Sequence, residues 1–197
     1  DADLGYTFGL PIVRKMNNGK WAVIFGNGYN NTVSDGVVSS TGRAYLYILY
    51  LDGPGFAGTG RGNTWVLGTD YHKIELKDPN EGTGTIPSGP TDNGLSTVAA
   101  ADKNDDNLVD YLYAGDRYGN LWKVDVSNAD PANWGTAFGT ASAPLPLFAA
   151  KTGDTTPVRQ QITTSPSVVP HPNGGALILF GTGSFVDQTD NQSPFST

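Results

Sequence analysis

Asp102-Lys103-Asn104-Asp105-Asp106-Asn107-Leu108-Val109-Asp110 puts four carboxylates and two carboxamides into nine residues. Side-chain oxygens at the first, third and fifth positions (Asp102, Asn104, Asp106) converge when a chain turns tightly. The carbonyl of Leu108 at the seventh adds a ligand, and Asp110 at the ninth closes the shell. An oxygen-rich, flexible set of this kind suits Ca²⁺ better than Mg²⁺, which demands a strict octahedron and keeps its waters. Four carboxylates so close repel one another without a counter-charge, so metal binding here is expected to be linked to folding. Asp105 lies off the alternation and reads as a surface charge.

The loop is not an EF-hand. Its sixth position, where the bend usually needs Gly, is Asn107, the residue next best able to enter left-handed backbone space. Its twelfth, where an EF-hand places a bidentate Glu, is Tyr113, and Asp110 to Ala114 has the apolar, aromatic pattern of a strand. The competing reading is a solvated acidic turn, since Asp and Asn favour turns through local hydrogen bonds. Against it stand the oxygen ligands at alternate positions and the strand that follows at once.

The elements that must hold this loop are strands. Gly (26) and Pro (13) together make about a fifth of the 197 residues, and long helix-period stretches are missing. The chain therefore reads as all-β, long enough to bury a core. Its 12 basic residues are scattered among 19 acidic ones, which disfavours a nucleic-acid partner. No run reaches the ~18 apolar residues of a membrane span. Cysteine is absent, which excludes disulfides and thiol chemistry. The chain opens at Asp1 with neither an initiator Met nor a signal peptide, as a piece of a longer protein would.

A repeat runs through it. A strand over Thr7 to Val13, a turn at Asn17 to Lys20 and a strand over Trp21 to Phe25 lead to Gly26. Thr164 to Val168, a turn at Pro172 to Gly175 and Ala176 to Phe180 lead to Gly181, with the same interval from Pro166 as from Pro11 to Gly26. A middle copy starts at Gly94 to Val98 and reaches Gly115, its extra residues falling in the 102–110 loop. That loop is therefore expected as an enlarged hairpin turn, with Asp110 in the register of Trp21 and Ala176. Third strands follow at Ala44 to Leu51 and at Leu121 to Val126, where Trp122, Val124 and Val126 share one face. Second strands apolar on both faces suit sheets sandwiched between others, and antiparallel repeats of this kind build a β-propeller.

The expected fold is a partial β-propeller in one domain over 1–197, with three- to four-stranded antiparallel blades at about 5–78, 94–150 and 160–197. The repeats are spaced more widely than the ~40–50 residues of ordinary blades. Gly/Pro-rich insertions at 53–63 and 79–90 carry the excess, with Thr64 to Leu67 and His72 to Leu76 as candidates for an outer strand between them. Two blades and the start of a third cannot close a ring alone.

Together, Asp3 to Pro11, Gly19 to Asn30, Asp92 to Ser96, the 102–110 loop, Tyr113 to Asp125 and Leu179 to Gly183 resemble the C-terminal domain of the PilY/PilC family. These are large tip-associated adhesins and biogenesis factors of bacterial type IV pili. The resemblance implies an irregular propeller, a place at the pilus tip or bacterial outer-membrane surface, and Ca²⁺ held by Asp102, Asn104, Asp106, Leu108 and Asp110. In the family, calcium occupancy is tied to pilus extension and retraction. Implied partners are the remainder of the parent propeller, the minor pilins of the tip machinery and a host or surface receptor. Asn107 replaces the family's usual Gly, and Arg61-Gly62-Asn63 lacks the carboxylate of the integrin motif that some members carry.

Other signals carry less. Gly53-x-Gly55-x-x-Gly58 matches a dinucleotide fingerprint but opens no helix. His72 and His171, without Cys or a close His pair, do not suggest zinc. Asp187 and Asp190 read as a solvated tail rather than a glycosidase pair, and no Gly-x-Ser-x-Gly elbow occurs. Three functions remain open: a non-enzymatic calcium module of a pilus-tip protein, a quinoprotein-like propeller enzyme, and an integrin- or lectin-like module in which the ion helps hold a ligand.

Overall fold

The computed structural model describes residues 1–33, 37–54, 62–83, 91–153, 155, 157–184 and 186. Over these the chain is all-β, with a single 3-10 turn at Pro131–Asn133. Strands β1 (Ile12–Lys15), β2 (Trp21–Gly26), β3 (Ala44–Tyr50) and β4 (Tyr71–Leu76) form an antiparallel meander in that order. Strands β5 (Ala99–Ala101), β6 (Tyr111–Gly115) and β7 (Asn120–Asp125) start a second sheet. Its outer edge is shared by β8 (Gly135–Thr136), paired to the end of β7, and β11 (Phe148–Ala149), paired to its start. A small hairpin of β9 (Phe138–Thr140) and β10 (Ala143–Leu145) lies between them in sequence, and β12 (Ser167–Pro170) pairs with β13 (Ala176–Leu179) in a third unit.

The register explains the core. On β3, Leu46 and Ile48 stand opposite Gly26 and Ile24 on one side and Ile74 and His72 on the other, so these residues share a face. That face meets Leu112, Ala114, Trp122, Val124 and Val126 of the second sheet in one buried cluster. The opposite face of the second sheet contributes Leu121, which joins Ala150 and Ile162 and is backed by Ile178 and Phe180 of the third unit. The second sheet is thus apolar on both sides, as its sequence required. On the other face of the first sheet Phe25 stacks on Tyr47 with ring centroids 5.4 Å apart, and the Tyr47 hydroxyl is buried with no hydrogen-bond partner among the described residues.

Several strands begin later than their sequence suggests. Thr7 to Leu10 forms no ladder, and β1 starts only after Pro11, which has no N–H to donate. Leu95 makes an isolated bridge to Asp116 and β5 follows at Ala99, while β12 starts after Pro166. Thr64 to Leu67 is not a strand: Gly68, at φ 81°, turns the chain straight into β4, and Leu67 makes one bridge to Tyr71. Insertion 53–63 is described only at its ends and insertion 79–90 only to residue 83, so their central parts lie outside the described residues. Among the described residues no helix is long and apolar enough to cross a membrane.

The glycine that closes each second strand has a physical reason at two of its three positions. A Cβ on Gly26 would overlap the carbonyl oxygens of Leu95 and Ser96, and one on Gly115 would overlap the carbonyl and side chain of Ile162. Each is where the following repeat presses its backbone against the previous one. At Gly181 a Cβ would meet only Thr164 Oγ1, at 3.7 Å. Gly115→Ala should therefore cost about 1–3 kcal/mol by overpacking, and Gly181→Ala should stay within about 0.5 kcal/mol of the parent. Urea melts of the two variants check this, and equal losses would contradict it.

Candidate metal site

Strands β5 and β6 pair through Ala101 and Tyr111, and the Asp110 amide donates to the Ala101 carbonyl at 3.0 Å. The 102–110 segment is thus the hairpin loop between two paired strands. Asp102 to Asn107 are exposed, Leu108 is half-buried, and Val109 and Asp110 are buried, Asp110 at 5 % exposure. Two loop residues adopt left-handed backbone, Asp105 at φ 60° and Asn107 at φ 66°. Asn107 therefore makes the bend its side chain allows, and Asp105 is exposed.

The loop's oxygens are turned onto its own amides. Asp102 Oδ1 accepts from the amides of Asn104 (3.1 Å) and Asp106 (3.3 Å), and its Oδ2 accepts from Asn107 at 2.7 Å. Asn104 Oδ1 accepts from Asp106 N at 3.3 Å, and its Nδ2 donates to Asp106 Oδ2 at 3.0 Å. Asp106 Oδ1 accepts from Leu108 N (2.8 Å), and Asp110 Oδ2 accepts from Lys103 N (2.8 Å) across the mouth of the loop. Desolvation within the loop pushes the Asp102 carboxyl up, but the amides of Asn107, Asn104, Asp106 and Asp105 together outweigh it and hold the group below its ordinary value. Asp102 is thus an anion anchored by backbone donors.

Among the described residues no group of three or more His, Asp or Glu side chains is drawn together as a metal would require. The carboxylates accept from loop amides, which leaves each carboxylate a further lone pair. The donor chemistry fits a hard cation: three carboxylates (Asp102, Asp106, Asp110), one carboxamide oxygen (Asn104) and the Leu108 carbonyl are all oxygen, with no nitrogen or sulfur to favour a softer metal.

The closing end of the loop is tied to the first sheet. Val109 N donates to the Lys15 carbonyl at 3.1 Å, and Asn17 Nδ2, in the β1–β2 turn, donates to the carbonyls of Val109 (2.7 Å) and Val126 (3.1 Å). Val126 N in turn donates to the Asp110 carbonyl at 2.9 Å. Residues 109 and 110 are therefore shared between two repeats.

A buried polar network escaped the sequence reading. Asp116, fully buried, accepts five hydrogen bonds: Asn93 Nδ2, Asn120 Nδ2 and Trp122 Nε1 on Oδ2, and the amides of Tyr118 and Asn120 on Oδ1, all between 2.8 and 3.0 Å. Burial pushes its carboxyl above the ordinary value while these donors pull the other way. Asn120 Nδ2 also donates to Asp78 at 2.6 Å, and Arg159 reaches Asn120 Oδ1 (2.7 Å), the Tyr118 carbonyl (3.1 Å) and Asp78 (3.4 Å), so one network touches three repeats. The available signal was a polar residue directly after each repeat glycine, Asn27, Asp116 and Thr182. Asn27 works similarly, accepting from the amides of Tyr45 (3.0 Å) and Leu95 (2.9 Å).

His72 lies against the rings of Tyr50 and Trp134, its pKa lowered by burial and then by Lys20. His171 accepts from Asn173 N at 3.1 Å within its turn. Gly55 and Gly58 of the fingerprint, Arg61, Asp187 and Asp190 lie outside the described residues.

Comparison with known proteins matches residues 1–196 to the family described as the PilY1 beta-propeller domain. The chain is 38% identical over 194 residues to a type IV pilus biogenesis factor PilY1 homolog of Xylella fastidiosa, covering 98% of this chain and 12% of that protein. It is 35% identical to the type IV pilus biogenesis factor PilY1 of Pseudomonas aeruginosa, covering 100% of this chain and 15% of that one. The crystal structure of the Pseudomonas aeruginosa PilY1 C-terminal domain superposes with a TM-score of 0.69 at 31% identity, over 96% of this chain and 35% of that chain. The chain thus spans a small part of the curated relatives it matches.

Proposed function

Because the chain belongs to the PilY1 β-propeller family, we propose that it is a non-enzymatic calcium-binding part of a type IV pilus biogenesis factor, working at the pilus tip or the outer cell surface. In this reading Asp102, Asn104 and Asp106 give side-chain oxygens, Leu108 its carbonyl, and Asp110 closes the shell. Bound calcium neutralises carboxylates that otherwise repel one another. The residues then fix the hairpin: Asp110 stiffens the start of β6, and Val109 carries that order to Lys15 in the first sheet. Pilus extension and retraction, adhesion, and contact with the remaining propeller, minor pilins or a receptor are the roles such a module would serve.

The observation that carries this reading is the buried Asp110 at the closing position of an otherwise exposed, all-oxygen loop, within a hairpin shared by two repeats. Terbium luminescence and calorimetry test it. Binding in the range of extracellular calcium modules, about 10⁻⁴–10⁻³ M or tighter, is the expected result. No divalent binding at millimolar calcium would end the proposal. Asn107→Val, which forces a β-branched residue into left-handed backbone at about 1–2 kcal/mol, should weaken calcium roughly tenfold, whereas Asn107→Gly should not weaken it.

A further inference from the structure

Where β4 meets the second repeat, three rings from the two repeats come together. His72 stands opposite Ile48 in the β3–β4 register, so its imidazole lies on the face that packs against the second sheet. Tyr50, two residues further along β3 and buried, meets it at a ring-centroid distance of 5.5 Å and an interplanar angle of 73°. Trp134 of the second repeat, 8 % exposed, meets it at 5.3 Å and 62°. The 3-10 turn at Pro131–Asn133 presents Trp134 just before β8, and the indole is held there by Nε1 donating to the Asn128 carbonyl at 2.7 Å. We propose that this contact is acid-sensitive: with His72 uncharged the three rings hold β4 against the second repeat, and proton uptake by His72 loosens the two there.

Three observations support it. Tyr50 and Trp134 belong to the buried cluster that the first two sheets share, so a change at His72 acts directly on the contact between them. Next, no counter-charge receives an imidazolium: among the described residues His72 forms no ion pair, and the charge that acts on it is Lys20 of the β1–β2 turn, which lies over the Tyr50 ring at 4.4 Å. The carboxylates on the surrounding elements are engaged elsewhere. Asp70 Oδ2 accepts from Val66 N (2.9 Å), Asp125 Oδ1 from Ser127 N (3.0 Å) and Oγ (2.6 Å), and Asp130 Oδ1 from Ala132 N (3.0 Å). On β4 itself Lys73 and Glu75 alternate onto the other face, where Lys73 pairs with Asp1 and Asp3 and Glu75 with Arg43. Finally, burial and then Lys20 hold the imidazole below its ordinary value of 6.5. The folded chain then binds this proton more weakly than the unfolded chain does. The stability concerned is present above the ordinary value and is lost as pH falls from there through the folded one.

The test uses the full chain, whose two histidines give two imidazole signals to follow by proton NMR across pH, with His171→Gln assigning them. Urea melts at about pH 8 and about pH 5, and amide exchange over Trp134 to Thr136 corrected for the intrinsic rate, are run on the parent, His72→Gln and His72→Phe. The expected result is that His72 titrates below its ordinary value and that acid lowers the folded-to-unfolded ratio more in the parent than in either variant, by about tenfold for each unit of lowering. Protection of the Trp134 to Thr136 amides should fall in acid in the parent and hold in His72→Phe, which keeps a ring that takes no proton. Titration at or above the ordinary value would mean that cation–π attraction to Tyr50 and Trp134 outweighs burial, and it overturns the proposal on the parent alone, whether or not the variants fold. Equal acid losses in parent and variants, or protection that does not change with pH, overturn it as well.

Discussion

Asp110→Ala is expected to lower the melting temperature in saturating calcium by roughly 8–15 °C, and in EDTA by only about 2–4 °C. Two losses combine in calcium. At a hundredfold excess over Kd a bound ion contributes about 2.7 kcal/mol to the folded state. The bond from Lys103 N to Asp110 Oδ2 is worth about 1 kcal/mol more. In a chain of this length each kcal/mol corresponds to about 2–4 °C. In EDTA only the hydrogen bond is at stake. Asp105→Ala, removing an exposed charge outside the ligand alternation, is the control and should leave the calcium-induced stabilisation in place. A fall of equal size with and without calcium would show Asp110 to be a structural acceptor and no ligand.

The second large effect lies away from the loop. Asp116→Ala strands three side-chain donors and two amides in a site without solvent, at a cost of about 3–5 kcal/mol, or roughly 6–20 °C. Asp116→Asn should be nearly as damaging, although its shape is the same. All five partners donate, so the amide's N–H₂ must face either Asn93, Asn120 and Trp122 or the two backbone amides. Parent-like stability of Asp116→Asn would mean that the carboxylate's charge does not organise this network. Neither variant should change terbium binding per folded molecule, which separates this result from the first.

The parts legible in the sequence were those built by a strict repeat. Strands β2, β3, β7 and β13 stand within a residue or two of where their apolar runs place them, because each run is long enough for its apolar pattern and its flanking turn residues to mark both ends. The 102–110 hairpin was legible for the same reason, since its flanking strands keep the register of the repeat. The first strands of each repeat were less so: Pro11 and Pro166 delay the ladder, and Leu95 is held by the Asn27 carboxamide and one bridge instead of a strand partner. Strands β8 to β11 are two or three residues long, too short for a period to show. The Asp116 network was hidden because Gly115-Asp116-Arg117-Tyr118-Gly119-Asn120 has the composition of an ordinary surface turn, and only the fold shows that Asp116 and Asn120 are buried.

The bond from Val109 N to the Lys15 carbonyl has a consequence for shape at a larger scale. Through it, an order change in the hairpin would reach the neighbouring sheet, and so would emerge as a tilt between two sheets instead of a dent within one. In a closed ring, tilts cannot be absorbed singly; they redistribute around the circumference and alter its diameter or its pucker. Were the hairpin to hold an ion as proposed, that ion would act as a shim, setting how flat the whole disc lies.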